Sequence, residues 1–119
     1  MVIGISGSRS IKASIPDELL PKTATKIISG GANGIDLSAR EYAKRHHILI
    51  EEILPAYDLY GKRAPLVRND VIIDKSNAVF VFWDGKSRGS AYVIKECRKK
   101  NKFCRVYLWN GKEFIEYND

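Results

Sequence analysis

Residues 29–36 read SGGANGID, with glycine at 30, 31 and 34. The segment before them, TKIIS (25–29), is a short β-branched run of the kind that forms a strand. The segment after them places Ile35, Ala39, Tyr42 and Ala43 at i, i+4, i+7 and i+8, one apolar stripe of a helix spanning 34–46. A strand that passes through a glycine-rich turn straight into a helix is the joint of a layered α/β fold. The glycines have a physical use there. Gly30 and Gly31 remove Cβ where backbone must approach a ligand or adopt positive φ, and Gly34 lets the helix begin tight against the strand.

Outward from this joint the pattern repeats. VIGIS (2–6) is a buried strand, and AVFVFW (78–83) is apolar throughout, as a central parallel strand should be. HILIEEIL (47–54) and FCRVYLW (103–109) supply two more strands. Helices are expected over 64–76, with Ala64, Val67, Val71 and Ile72 on the inner side, and over 89–101, with Ser90, Ile94 and Cys97 inward. SIPDELLPK (14–22) makes a short helix at best, with Ser14 as N-cap, Pro16 in the first turn and Pro21 as the stop. PAYDLYGKRA (55–64) reads as a polar, aromatic-rich loop, and Asn110-Gly111 joins the fifth strand to KEFIEY as a hairpin. Alternating strands and helices predict one α/β domain over 1–119, built on a mainly parallel sheet. Ligands of such sheets bind at the carboxyl ends of the strands, near the point where strand order reverses.

Composition narrows the functional classes. The chain has 119 residues, 45% hydrophobic, and a net charge of +6, which permits an anionic partner without naming one. No apolar run approaches the length of a membrane span. Two cysteines, Cys97 and Cys104, are too few for a disulfide framework and lack metal-ligand spacing; a cytoplasmic protein with no metal or other cofactor is expected. His46 and His47 fall in the last turn of the helix, where cations complement the dipole; most of the basic residues of 95–105 fall in the last turn of a later helix, read as a solvated helix end rather than a nucleic-acid patch.

Three polar loops follow strands 1, 2 and 4: SGSRS (6–10), SGGANGID (29–36) and WDGKSRGS (83–90). In a parallel sheet they share one edge, and the last two each open a helix whose free N–H groups suit a phosphate. Gly7, Ser8, Gly85, Ser87, Gly89 and Ser90 leave room and add donors, while Arg9 and Arg88 supply guanidinium forks. Asp36 is read either as a cap or as a ribose contact and glycosyl-cation stabiliser, and Asp84 either as an Asx-turn residue or as a ligand contact. Tyr57, Tyr60 and Trp83 are candidates to stack a base, although Trp83, at a strand end, is equally read as core; Lys62 is read either as reaching a phosphate from its loop or as an ordinary exposed lysine. There is no GxGxxG after strand 1 and no GxxxxGK[ST], which disfavours a hydride-transfer enzyme and an ordinary nucleotide triphosphatase.

Taken together, GSR (7–9), SGGANGID (29–36), YGKRAPLVRND (60–70) and FWDGKSRGS (82–90) resemble the SLOG superfamily, most of all its YspA/YpsA-related (YAcAr) branch. The superfamily also holds the DprA DNA-processing proteins and the LOG phosphoribohydrolases, and the resemblance covers about residues 3–94. It implies a three-layer, doubly wound Rossmann-like sheet ordered 3-2-1-4-5 and a pocket for a nucleotide or nucleotide derivative. That pocket would take in Gly30, Gly31, Ala32 and Gly34 of the second loop and Arg68 and Asn69 of the RN motif. The LOG motif PGGxGTxxE is replaced here by WDGKSRGSAYV, with no Glu nearby, so glycosidic turnover through Asp36 or Asp84 is expected to be weak. The domain is thus expected to be a nucleotide sensor, a sequestering protein or a weak N-glycosidic hydrolase. The alternative is a DprA-like nucleic-acid module that uses the +6 charge. Relatives of this kind often pair, and WNGKEFIEY offers an apolar edge for a homodimer.

Overall fold

In the computed structural model, which describes residues 1–118, six strands form one sheet in the order β3-β2-β1-β4-β5-β6. They are β1 (Val2–Gly7), β2 (Lys26–Ser29), β3 (Leu49–Glu52), β4 (Ala78–Trp83), β5 (Phe103–Trp109) and β6 (Phe114–Tyr117). All neighbours are parallel except β5 and β6, which form the antiparallel hairpin closed at Asn110-Gly111. The helices are α1 (Ile35–Arg45), the single turn α2 (Tyr57–Tyr60), α3 (Ala64–Lys75) and α4 (Arg88–Lys99). This is the doubly wound Rossmann-like α/β architecture, with strand order reversing between β1 and β4.

Alternation along β4 shows why its sequence is apolar throughout. Ala78, Phe80 and Phe82 enter the core on the α1 side, with Ile35, Ala39, Tyr42 and Ala43. Val79 and Val81 enter the second core with Ile73 of α3 and Val93, Ile94 and Cys97 of α4. A strand covered on both faces has no polar side. No long helix connects β1 to β2. Ile11, Ile15 and Leu20 of that connection fill the first core, and its regular part is one 3-10 turn at Asp17–Leu19.

Several local expectations are corrected. Ser14 caps no helix; the 3-10 turn is preceded by Pro16, with no side-chain cap. β3 begins at Leu49, not at residue 47, because His47 takes φ 54° and closes α1 instead. The Ile48 N–H donates to the Ala43 carbonyl at 2.9 Å, the long bond of a Schellman closure. His46 stacks on Tyr42 and meets the Asp17 carboxylate at 2.9 Å, which fixes it as a helix-end residue. The expected loop over 55–64 is ordered as α2 followed by a 3-10 turn, Gly61–Arg63. On α3 the buried face is Ala64, Arg68, Asn69, Ile72 and Ile73, whereas Val71 is exposed and Val67 only partly covered. Two polar residues therefore point inward where the apolar stripe had been placed.

Gly34 explains much of the joint that opens the sequence. Its φ is 72°, and a Cβ there would sit 2.5 Å from the carbonyl oxygens of both Ser8 and Arg9. The β1 loop can cross the start of α1 only over a glycine.

Candidate functional site

A cleft of about 420 Å³ opens at the carboxyl ends of β1, β2 and β4, at the reversal of strand order. The β1 loop contributes Gly7, Ser8 and Arg9; the β2 loop contributes Gly30, Ala32 and Asp36; the β4 loop and the start of α4 contribute Asp84, Ser87, Gly89 and Ser90. Arg68 and Asn69 close the cleft from α3. The fold thus gathers twelve of the residues singled out in the sequence.

The others lie elsewhere. Gly31 lines an adjoining hollow of about 310 Å³ that shares Arg9, Gly30, Ala32 and Arg68 with the cleft. Gly34 faces a depression on the α1 side, with Lys12 and Glu41. Lys62 sits exposed on the 3-10 turn, and Gly85 forms the exposed turn after β4 with φ 80°. Trp83 packs on the core beneath α3 and α4 and does not line the cleft: its Nε1 donates to the Ser87 carbonyl at 3.0 Å and its ring meets Tyr117 edge-on. Tyr57, Tyr60 and Arg88 are exposed and line no part of the cleft. Pro65, Leu66 and Ile72 form an apolar wall that the sequence reading did not assign to the site, since Ile72 was placed in the core stripe.

At the β4 end the polar groups satisfy one another. Asp84 Oδ1 accepts the backbone N–H groups of Lys86 and Ser87, each at 2.8 Å, which makes the Asx turn that launches α4. The Ser87 hydroxyl lies 3.0 Å from both carboxylate oxygens and 3.0 Å from Ser8 Oγ, and Ser10 Oγ donates to Oδ2 at 3.1 Å. Ser87 has one proton, so the consistent order is Ser8 O–H to Ser87 and Ser87 O–H to Asp84. The Asp84 N–H returns a bond to Ser8 Oγ at 3.0 Å. Burial would raise the Asp84 carboxyl, but the Ser87 and Lys86 N–H groups and the Ser87 and Ser10 hydroxyls outweigh it, holding the group well below the usual carboxylate range.

The start of α4 is left open as a result. Ser87 makes no capping bond to the helix, because its hydroxyl is engaged at Asp84. The N–H groups of the first turn therefore keep their donor capacity. Ser90, in that turn, is 3% exposed, lines the cleft, and has an Oγ with no hydrogen-bond partner among the described residues.

At the β2 end, charges are buried around Gly30. Arg68 is 8% exposed; its Nη1 donates to the Gly30 carbonyl at 2.8 Å and its Nε to Asn69 Oδ1 at 2.9 Å. Asp36 Oδ2 accepts the Ala32 N–H at 3.1 Å, so it braces the glycine loop rather than capping α1. A Cβ on Gly30 would fall 2.8 Å from Arg68 Cζ and 2.9 Å from Asp36 Oδ2. Glycine is needed there for the two charges to close over the loop. Burial raises the Asp36 carboxyl above its ordinary value, against the Ala32 N–H and the Arg68 charge. Burial lowers Arg68, with Asp36 opposing and the nearby Arg9 charge adding to the lowering. Arg9 is exposed on the rim of both hollows and forms no ion pair among the described residues. The exposed Arg9 guanidinium on the rim is thus the group placed to pair with an anion, while Arg68 is engaged within the protein.

Among the described residues, no group of three or more His, Cys, Asp or Glu is gathered that could hold a metal ion, and no helix is long and apolar enough to cross a membrane. Comparisons with family models, curated proteins and solved structures find no match to this chain.

Proposed function

We propose that the cleft binds a nucleotide or nucleotide-derived small molecule, with its phosphate on the first turn of α4 and that the domain is of SLOG type. One observation carries this reading: the buried, unpartnered hydroxyl of Ser90 lines the cleft beside the uncapped N–H groups of α4. A buried hydroxyl without a partner costs stability unless a ligand or water satisfies it, and a helix N-terminus with such a donor suits a phosphate. Arg9 stands at the rim to pair with the same anion. Pro65, Leu66 and Ile72 offer an apolar wall for a base, and Asp36 and Asn69 offer polar groups for a sugar. The volume falls in the range of small-molecule sites.

A second reading adds chemistry. Asp36 is the cleft carboxylate whose burial raises its proton affinity, which is the tuning a general acid needs. N-glycosidic hydrolysis through Asp36 is the reaction it would support. Asp84, held strongly ionised by its donors, is the poorer acid or base.

The test is a panel of mono-, di- and cyclic nucleotides, nucleotide sugars and NAD-type compounds, scored by melting temperature and calorimetric titration. A binder at a hundredfold excess over Kd stabilises by roughly 2.7 kcal/mol, a shift of several degrees for a domain of this size. Arg9→Ala should weaken binding about ten- to a hundredfold, the value of one charge-assisted bond. A flat response across the panel overturns the reading. Preference for oligonucleotides, with affinity falling steeply as salt rises, would favour a nucleic-acid module instead.

A further inference from the structure

Away from the cleft, two nucleophilic side chains meet at the other end of α4. Cys97 closes the inner stripe of the helix and is fully buried, while Cys104, second residue of β5, is partly buried. The chain between them folds back on itself. Asn101 takes φ 55°, its N–H donates to the Arg98 carbonyl at 3.2 Å, and the Lys102 N–H donates to the Cys97 carbonyl at 2.9 Å. This Schellman closure returns β5 alongside the last turn of α4. Alternation in β5 then turns Cys104 and Val106 toward α4, where Cys104 packs on the cluster that contains Cys97. The two thiols thus share one end of the α4–β5 core, and each shifts the proton affinity of the other. Cys104 also lines a surface hollow of about 510 Å³ together with Arg98 and Lys102; Cys97 does not.

We infer that Cys97 and Cys104 form a redox-active dithiol, which a low-molecular-weight disulfide carrying carboxylates, of the glutathione class, oxidises to an intramolecular disulfide between α4 and β5. The hollow admits the oxidant to Cys104, and its two cations complement the oxidant's carboxylates. Cys104 attacks as the thiolate: a bond forms from its sulfur to one sulfur of the small disulfide, the small disulfide's S–S bond breaks, and one small thiolate leaves and takes up a proton. Cys97, giving its proton to solvent, then attacks the Cys104 sulfur and expels the second small thiol. The protein loses two hydrogens and the small disulfide gains two. The two thiols are tuned for these roles. The neighbouring Cys97 thiol favours the Cys104 thiolate and Arg98 acts in the same sense, against burial, while Cys104 and burial hold Cys97 protonated.

The full chain, reduced and native, is incubated with excess oxidised glutathione, quenched with acid and weighed by mass spectrometry. Wild type is expected to lose two hydrogens, to carry no glutathione, and to recover its mass with dithiothreitol. Cys97→Ser should hold one glutathione on Cys104, and Cys104→Ser should stay unmodified over the same time. A wild type that keeps both thiols overturns the inference, as does one that retains glutathione without closing the disulfide. Glutathione entering Cys104→Ser at Cys97 as fast as it enters Cys97→Ser at Cys104 overturns the order of attack. Melting curves of the two variants check that both are folded when exposed.

Discussion

The β2–α1 and β4–α4 loops each bring one aspartate to the cleft, and they treat it oppositely. Asp84 accepts two backbone N–H groups and two hydroxyls and is held ionised. Asp36 accepts the Ala32 N–H, is 8% exposed, and is pushed toward its protonated form by burial. The two positions look alike in sequence, each a carboxylate at a Gly- and Ser-rich strand-to-helix joint, Asp84 before its helix and Asp36 in the first turn of α1. What separates them is donor supply. A carboxylate saturated by its own loop is a structural anchor, whereas one that is buried with fewer donors keeps acceptor capacity for a ligand.

The largest expected effect falls on the β2 side. Arg68→Met removes the donors to the Gly30 carbonyl and Asn69 Oδ1, and the cation that offsets the burial of Asp36. Removing one partner from a buried charged arrangement typically costs about 3–5 kcal/mol. Urea unfolding at pH 7 measures it, and a loss below that of Asp84→Asn would reverse the ranking of the two loops.

Next is Asp84→Asn, expected to cost about 1.5–3 kcal/mol at pH 7, the value of hydrogen bonds to a charged group. The folded carboxyl lies below its unfolded value, so the unfolded chain takes up the proton first as pH falls. Its contribution is complete above roughly pH 4, near the ordinary carboxylate value, and fades below. Unfolding curves of wild type and variant should therefore converge in acid.

Asp36→Asn should cost less, and its pH dependence should run the other way. The folded carboxyl lies above its unfolded value, so the folded chain holds the proton longer and wild-type stability falls as pH rises through that window. The variant lacks this fall and gains on wild type from acid to neutral pH. Slopes of the same sign for Asp36→Asn and Asp84→Asn would break the contrast between the loops. If the cleft hydrolyses a glycosidic bond, chromatography should show that free-base release disappears in Asp36→Asn.

The contrast also marks what the sequence could show. The sheet was legible because each central strand is a short apolar run that ends in a glycine-containing turn, and the sharing of one edge by three loops follows from parallel pairing alone. The α3 face was legible only in part: Ala64 and Ile72 are inward as expected, Val67 and Val71 are not. Val67 and Val71 carry the apolar signal, yet Arg68 and Asn69 are inward, because Gly30 and the Arg68–Asn69 pair satisfy the buried polar atoms. Hydropathy does not register partners that arrive from 38 residues away. Trp83, open between base stacking and the core in the sequence, lies one residue past Phe82 and so packs on the other core, with Val79 and Val81. The single turn α2 is too short to leave a periodic signal.

The smallest expected change in stability carries the sharpest information. Ser90 and Ser29 each have a buried Oγ with no partner among the described residues, but only Ser90 lines the cleft. Ser90→Ala and Ser29→Ala remove the same atom and break no hydrogen bond of the unliganded protein. Both should leave the apo melting temperature unchanged or slightly raised, since each removes a buried hydroxyl that nothing satisfies. Toward a nucleotide identified by the panel they should differ. Ser90→Ala forfeits one bond to an anion, roughly ten- to a hundredfold in Kd, while Ser29→Ala binds as wild type. Calorimetric titration of the three proteins reads this directly. Equal affinity in all three would move the anion away from α4 and leave the uncapped helix start without a ligand role. Equal losses in both variants would show that the binding change came through the fold and not through contact.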